Sequence, residues 1–262
     1  SAFGWEPPVM AHLPLILNPT GKGKMSKRED RAPDGRVLPV FVRRFEEIGY
    51  LPEAMINYLA LLGWSYDDKT EIMSRSELIE RFSLERVNAS PAVWNYEKLD
   101  HFNGYYSRHL TVEELADRLL PYLRAAGITV GLDKLLKVAP LIRERITTLR
   151  DAAAVGDFFF VDELRPYDPA ELIPQKGDAA MALKALNRVR PVLAAADFSH
   201  SGLETVLRAE AEAMGIKTGQ MFQPIRVAVC GRKNAPPLFE TMEVLGKDTC
   251  LKRIDQAIQK LQ

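Results

Sequence analysis

Residues 21–30 read GKGKMSKRED and place four cationic side chains and two glycines within ten positions. Ammonium groups carried on a loop can stabilise negative charge that develops on phosphate oxygens during a reaction. Gly21 and Gly23 give such a loop the backbone freedom to close over a ligand. From residue types alone, however, a lysine cluster in a loop is more often a solvated surface than a site. Both interpretations stay open at this point.

Two familiar phosphate-binding motifs are absent from this segment. A dinucleotide-binding fingerprint would need a third glycine at the position of Ser26, and no strand–helix unit with a downstream acid surrounds it. The phosphate loop G-x-x-x-x-G-K-[ST] does not occur either. Phosphate chemistry at residues 21–30 would therefore need another kind of motif.

The charge of the chain is balanced overall and uneven along its length. Lys plus Arg and Asp plus Glu each number 35, which argues against a polyanion binder driven by net charge. Residues 19–44 contain eight Lys or Arg against three Asp or Glu, and residues 217–262 contain eight against four. The two ends are therefore basic and the middle is acidic.

The cysteines and the hydropathy exclude several classes of protein. Cys230 and Cys250 show no Cys-x-x-Cys or Cys/His spacing, so we expect no metal site and two free thiols in a reducing compartment. No run approaches the roughly 20 apolar residues that span a bilayer, and no secretory or transit pattern is present. We expect a cytoplasmic protein that does not associate with membranes.

The spacing of apolar residues predicts a mainly α fold with a short mixed α/β segment at the start. Residues 1–36 are rich in Pro and Gly and predict short strands and loops, with LPLIL as a buried strand. From about residue 38 the apolar residues recur at helical spacing. The pairs Ser74/Glu77, Thr111/Glu114 and Ser201/Glu204 form capping-box patterns at three predicted helix starts.

Prolines and loops divide the predicted helices. Pro52 suits a first helical turn, whereas Pro121 should kink or end its helix and Pro140 should interrupt another. The last predicted helices lie around 178–195, 201–214, 218–229 and 236–260. The predicted domains are 1–36, 37–110, 111–172 and 173–262.

Several aromatic residues have both a structural and a functional interpretation. Trp64 with Leu61 and Leu62, and the run Phe158–Phe160, are expected in the core, because aromatic residues at helical spacing usually pack there. For Tyr105, Tyr106 and Arg108, a structural role and contact with a nucleic-acid backbone both stay open.

The order of residues 24–28 is more specific than their charge. KMSKR resembles the Lys-Met-Ser-Lys-Ser signature of class I aminoacyl-tRNA synthetases, in the variant that ends in Arg. The longer segment HLPLILNPTGKGKMSKRED resembles the one that glutamyl-tRNA synthetases place after their catalytic domain. Residues 56–110, 139–149 and 219–254 resemble further parts of the same family, in family order.

This resemblance implies roles for the signature residues. Lys24 and Lys27 would be catalytic, stabilising the pyrophosphate that leaves ATP during amino-acid activation, and Lys27, Ser26, Met25 and Arg28 would contact ATP. Magnesium would accompany ATP in the full-length enzyme. The second class I signature, close to His-Ile-Gly-His, is absent, so we expect the C-terminal half of such an enzyme. Alone it should bind no cofactor and activate no glutamate, and ATP–pyrophosphate exchange by this chain would contradict that.

The resemblance also implies RNA contacts near the C-terminus. Arg145 matches an arginine used against the third anticodon base, and Arg226 matches one used against the middle base. The segment 235–238, with Pro236 and Leu238, matches a loop that packs on the first two bases. An ordinary surface or salt-bridged arginine is the alternative at both arginine positions. Arg145 stands where some relatives carry Gln, which hints at a form restricted to glutamate tRNA.

The resulting expectation is the C-terminal, tRNA-binding part of a glutamyl-tRNA synthetase. Residues 1–36 would end the catalytic region, 37–110 would form a stem-contact and connecting domain, and 111–172 and 173–262 would form two anticodon-binding subdomains. Expected partners are tRNA-Glu, with ATP and L-glutamate in the full-length enzyme, and we expect a monomer. The alternative is a stand-alone RNA-binding or regulatory module with a vestigial lysine loop. Glutaminyl enzymes usually end in β-barrels, which the helical tail here disfavours.

Overall fold

Helices make up most of the chain from Val42 onward, so the fold is mainly α, as the sequence predicts. The computed structural model describes residues 3–6, 8, 10–28, 30–32, 35 and 37–262. These residues form two compact units. Unit 1 consists of residues 1–110 and Thr147–Arg150, and unit 2 of Thr111–Ile146 and Asp151–Gln262. The finer predicted boundaries near residues 36 and 172 stay predictions.

The strands of unit 1 are short and occur in pairs. They are β1 Ile16–Leu17, β2 Asp30–Arg31, β3 Val37–Leu38 and β4 Ala92–Val93. β1 pairs in parallel with β4, so that Ile16 lies opposite Ala92, and β2 pairs antiparallel with β3. The LPLIL strand is therefore shorter than predicted and only half-buried, and Leu13 and Leu15 are exposed.

Within the described residues, unit 1 contains four helices, three of them between β3 and β4 and one after β4. They are α1 Val42–Ile48, α2 Pro52–Ala60, α3 Arg75–Arg81 and α4 Tyr96–His109, with a 3₁₀ turn at Leu84–Arg86. α2 begins with Pro52 in its first turn, as predicted. The predicted capping box of α3 is present, because Ser74 and Glu77 bond to each other's backbone N–H. Local sequence signals thus define where these helices start.

The core of unit 1 is aromatic. Phe45, Tyr58, Trp94 and Phe102 are buried, and the rings of Tyr58 and Trp94 meet edge to face with centroids 4.9 Å apart. Trp64 is also buried, in a cluster with Met73 and Leu78, which confirms its predicted core position.

Tyr106 has a structural role in unit 1. Its hydroxyl donates to the carbonyl of Met73 at 2.7 Å and lies 3.0 Å from Asn57 Oδ1. Burial raises the pKa of Tyr106 to about 12. Its hydroxyl is therefore bound within the protein, which favours the structural interpretation of this residue.

Unit 2 is built almost entirely of helices. They are α5 Val112–Ala125, α6 Leu132–Ile142, α7 Ala152–Val155, α8 Ala179–Ala195, α9 His200–Ala213, α10 Thr218–Cys230, α11 Leu238–Leu245 and α12 Lys247–Leu261. Short 3₁₀ turns lie at Arg143–Arg145, Asp157–Phe159 and Pro169–Leu172. A further 3₁₀ turn, Leu149–Asp151, begins in the unit 1 segment Thr147–Arg150 and ends with Asp151 of unit 2. The predicted capping box of Thr111 and Glu114 begins α5.

One of the two alternatives for Pro121, and two other local predictions for unit 2, are wrong. α5 does not end at Pro121 but continues to Ala125, and its neighbours Leu119 and Leu123 are fully buried, so packing outweighs the missing backbone hydrogen bond. The cap of α9 is Ser199 rather than Ser201, and its hydroxyl accepts from the N–H of Gly202 at 3.2 Å. The predicted helix 236–260 is two helices that meet at Gly246, whose φ is 83°.

A buried arginine joins three parts of unit 2. Arg253 in α12 is 1% exposed and donates to the carbonyls of Val229 at 2.6 Å, Phe158 at 2.9 Å and Val161 at 2.6 Å. Phe158 and Phe159 are buried too, which confirms their predicted core position. Arg253 thus connects α12 with the end of α10 and with the turn that follows α7.

Among the described residues, every helix is too short or too polar to cross a bilayer.

Candidate ATP loop and nucleic-acid interface

The KMSKR residues follow a tight turn that is anchored on β1. The N–H of Met25 donates to the carbonyl of Ile16, and the N–H of Asn18 donates to the carbonyl of Gly23, each at 2.9 Å. Leu17 and Lys24 form an antiparallel bridge. The segment that carries the signature is therefore attached by its backbone to the strand that pairs with β4.

The turn at residues 18–23 requires its two glycines. Gly21 has a φ of 71° and Gly23 a φ of 127°, both in the region that favours glycine. A Cβ on Gly23 would meet nothing within 4 Å, so strain rather than space restricts this position. Asn18 closes the turn, because its Oδ1 accepts from the hydroxyl of Thr20 at 2.7 Å. The sequence predicts that these glycines give the loop backbone freedom to move. In this structure they allow one specific turn conformation.

The signature side chains are open to solvent. Lys24, Ser26, Lys27 and Arg28 are exposed, and Met25 is half-buried. Ser26 Oγ accepts from the N–H of Arg28 at 3.0 Å, and its O–H can still donate to a ligand. The ammonium groups of Lys24 and Lys27 are thus accessible to an anion.

The second site is the connection between α10 and α11 in unit 2, residues 231–237, which we call the α10–α11 loop. Arg232 forms an ion pair with Asp157 and donates from Nη1 to the carbonyl of Ala154 at 2.7 Å. The N–H of Lys233 donates to Glu171 Oε2 at 3.3 Å. Consecutive loop residues are therefore held by different parts of unit 2.

Arg145 meets this loop directly. It is the last residue of the turn Arg143–Arg145, and its Nη1 donates to Asn234 Oδ1 at 2.7 Å. Arg145 and Asn234 are both exposed. The structure thus brings one predicted RNA-contacting arginine to the loop that contains Pro236 and is followed directly by Leu238.

The other predicted RNA-contacting residues are less exposed. Arg226 in α10 is half-buried, and its buried Nε has no hydrogen-bond partner among the residues described. Pro236 and Leu238 are buried, whereas Pro237 between them is exposed. The side chains of Pro236 and Leu238 therefore support the loop from its buried side. The loop backbone and Pro237 are the parts that face outward. RNA contact by Arg226, Pro236 and Leu238 stays a prediction.

Sequence reasoning missed Asn234, Asp157 and Arg232. Asn234 and Arg232 lie in the polar run GRKN after α10, which is a detectable loop signal. Their partners Arg145 and Asp157 are 89 and 75 residues away, and no periodic pattern links such distant polar residues.

Two family models match the chain. The model described as "anticodon binding domain" matches residues 114–258, and the one described as "tRNA synthetases class I (E and Q), catalytic domain" matches residues 1–101. The second match extends well beyond residue 36, where the sequence predicts the catalytic region to end.

Curated relatives match along almost the entire chain. The glutamate–tRNA ligase of Solibacter usitatus is 50% identical over 267 aligned positions, which cover 99% of this chain and 54% of the relative. The chain belongs to the glutamate–tRNA ligase family and contains its anticodon-binding domain. The ligase of Roseiflexus castenholzii is also 50% identical and is covered to 51%. This member of the family thus spans about half the length of the curated relatives it matches.

Solved structures of glutamate–tRNA ligases share the fold. The enzyme of Elizabethkingia meningosepticum, crystallised in complex with its amino acid, gives a TM-score of 0.81 at 31% identity, with 100% of this chain and 53% of that chain covered. The synthetase of Elizabethkingia anophelis gives 0.79 at 32% identity, with coverages of 98% and 52%.

Proposed function

We propose that this chain is the tRNA-binding part of a glutamate–tRNA ligase, which joins L-glutamate to tRNA-Glu with the energy of ATP. The observation that carries the proposal is the 50% identity to curated glutamate–tRNA ligases over 99% of the chain. tRNA-Glu, ATP and L-glutamate are the proposed partners of the longer enzyme, which we propose acts as a cytoplasmic monomer.

The proposed anticodon contacts lie in unit 2. Unstacked anticodon bases offer edges and faces, and a guanidinium can hydrogen-bond an edge or stack on a face. The exposed Arg145 at the α10–α11 loop suits the third anticodon base, and Arg226 in α10 suits the middle base. Pro237 and the loop backbone, supported by the buried Pro236 and Leu238, would pack on the first two bases.

The proposed role of the KMSKR loop is to stabilise the phosphates of ATP. Lys24 and Lys27 would place ammonium groups near the oxygens that gain negative charge as pyrophosphate leaves. Ser26 would donate a hydrogen bond, and Met25 and Arg28 would complete the ATP contacts. Anchoring on β1 gives the loop a fixed base from which its exposed end can close.

Magnesium would accompany ATP in the longer enzyme. Within the described residues, no group of three or more His, Cys, Asp or Glu side chains could hold an ion.

Binding of an RNA stem–loop that carries the tRNA-Glu anticodon tests the proposal. The affinity should fall as salt rises, because cationic side chains displace counterions from phosphates. It should also fall when the anticodon is changed. Equal affinity for any stem–loop would leave only non-specific RNA binding.

A further inference from the structure

Arg145 and Asn234 face each other across a large sequence separation. Nη1 of Arg145 donates to Oδ1 of Asn234 at 2.7 Å, and 89 residues separate the two. Nothing in the proposed function explains why an asparagine should occupy this place in the α10–α11 loop. The hydrogen bond raises the question of what Asn234 does for Arg145.

The backbones on both sides of this hydrogen bond are firmly held. Ile142 and Ile146, which flank the turn of Arg145, are buried. On the other side, Ala235 is 5% exposed, and the N–H of Lys233 is bound to Glu171. Since neither end is a free surface chain, the bond can define the direction of the guanidinium.

The chemistry of the partner matters as much as its position. A carboxylate would also accept from Arg145, but it would cancel the charge that attracts RNA. An amide oxygen orients the guanidinium and leaves it positive. In the described part of the chain, Arg145 forms no ion pair, so Asn234 holds it without neutralising it.

Several N–H donors of Arg145 remain available to bind RNA. The bond to Asn234 uses Nη1 of Arg145, and a guanidinium has further N–H groups on Nε and Nη2. A guanidinium held in one plane can present two of these to a base edge in a parallel pair, which is the arrangement that discriminates best between bases. A freely rotating arginine would lose part of this discrimination.

We propose that Asn234 is a positioning residue for Arg145, and that its amide oxygen holds the guanidinium in the orientation that selects the third anticodon base. This inference rests on the proposed function of the chain. It adds a specificity-determining residue in the α10–α11 loop and explains why a neutral hydrogen-bond acceptor stands there.

The test measures binding of two stem–loop RNAs to this chain by fluorescence anisotropy. One RNA carries the tRNA-Glu anticodon and the other has its third base replaced, so the ratio of the two Kd values is the base preference. Arg145→Ala should reduce this preference about tenfold or more. Asn234→Ala should reduce it about threefold to tenfold, and it should have almost no further effect in the Arg145→Ala background.

Asn234→Asp is the matched conservative variant. It retains an acceptor oxygen, so the base preference should survive. The added negative charge should weaken binding of both RNAs equally, with a smaller dependence on salt. A purely structural role for Asn234 would not separate preference from overall affinity in this way. Circular dichroism melting of each variant checks that the fold is retained.

Each result that contradicts the proposal leads to a different conclusion. If Arg145→Ala abolishes the preference and Asn234→Ala leaves it intact, the positioning role is wrong and the proposed function stands. If Asn234→Ala reduces the preference equally with and without Arg145, Asn234 contacts the base by itself and does not act through Arg145. If Arg145→Ala leaves the preference unchanged, the anticodon role of Arg145 fails, and the positioning role fails with it.

Discussion

The carboxylate of Asp157 and the guanidinium of Arg232 form an ion pair between the turn after α7 and the α10–α11 loop. The Asp157 side chain is 8% exposed and that of Arg232 is 34% exposed. Arg232 also donates to the carbonyl of Ala154 at 2.7 Å, and Asp157 accepts from the N–H of Phe158 at 2.9 Å. This pair therefore attaches the candidate RNA-binding loop to the interior of unit 2.

Removing the charge of Asp157 should destabilise unit 2. Asp157→Asn keeps the shape of the side chain but leaves Arg232 without its counter-charge, and we expect a loss of about 1–3 kcal/mol in the free energy of unfolding. Urea denaturation followed by circular dichroism measures this loss. Asp255→Asn is the control, because the Arg190–Asp255 pair is more exposed and should contribute less. Equal losses in the two variants would contradict a special role for the Asp157–Arg232 pair.

Arg253 should be among the most sensitive positions of the chain. Arg253→Ala would leave the carbonyls of Val229, Phe158 and Val161 without their donor inside the core, at a cost of about 3–5 kcal/mol. Thermal and urea unfolding provide the measurement. The neighbouring Lys252→Ala, which removes a half-exposed side chain, should change stability very little. A mild effect of Arg253→Ala would mean that water replaces the guanidinium.

Gly49 should not tolerate a side chain. Its φ is 98°, and a Cβ would lie 2.8 Å from the backbone N of Leu149, in the segment Thr147–Arg150 that packs in unit 1. Gly49→Ala therefore adds a backbone clash to conformational strain, and we expect a loss of more than about 2 kcal/mol. Gly127→Ala is the matched control. It has a similar φ of 78° with nothing within 4 Å of the added Cβ, and should show the strain alone.

The features predicted correctly from sequence were mostly local. Ser74 and Glu77 are three residues apart, so their capping box depends on one helical turn and can be recognised in the sequence. The same approach failed at Ser201, because Ser199 lies two positions earlier and satisfies the N–H of Gly202 instead. Competing local signals of similar strength cannot be ranked without the packing of the helix.

Features that depend on distant residues were not predictable from physical patterns. β1 and β4 pair although Ile16 and Ala92 are far apart in sequence, and each strand has only two residues. The bonds of Arg145 to Asn234 and of Arg232 to Asp157 are set by how α6, α7 and α10 pack in unit 2. The candidate RNA-contacting arginines came from family resemblance, whereas their partners required three-dimensional coordinates.

Both cysteine thiols should be unreactive in the folded protein. Burial raises the pKa of Cys230 to about 12 and raises the pKa of Cys250 in the same direction. Iodoacetamide at about pH 8 should therefore alkylate neither thiol until guanidinium unfolds the chain, as mass spectrometry would show. Rapid alkylation of the native protein would contradict the buried positions.

The same two thiols imply a pH dependence of stability. A thiol whose folded pKa lies above its unfolded value of 9.0 binds its proton more tightly in the folded state. Its contribution to stability is complete below about pH 9 and is lost as pH rises toward about 12. Cys230→Ser and Cys250→Ser variants should therefore show a weaker loss of stability over this alkaline range.

Binding of the tRNA-Glu anticodon stem–loop by this chain, compared between the unchanged sequence and Arg226→Ala, tests the central claim most directly. The account predicts that the unchanged chain prefers the tRNA-Glu anticodon over an unrelated one. It also predicts that Arg226→Ala weakens binding about tenfold, which corresponds to about 1.4 kcal/mol, with the helicity measured by circular dichroism unchanged. Equal binding of both anticodons, with no effect of Arg226→Ala, would contradict anticodon recognition by unit 2.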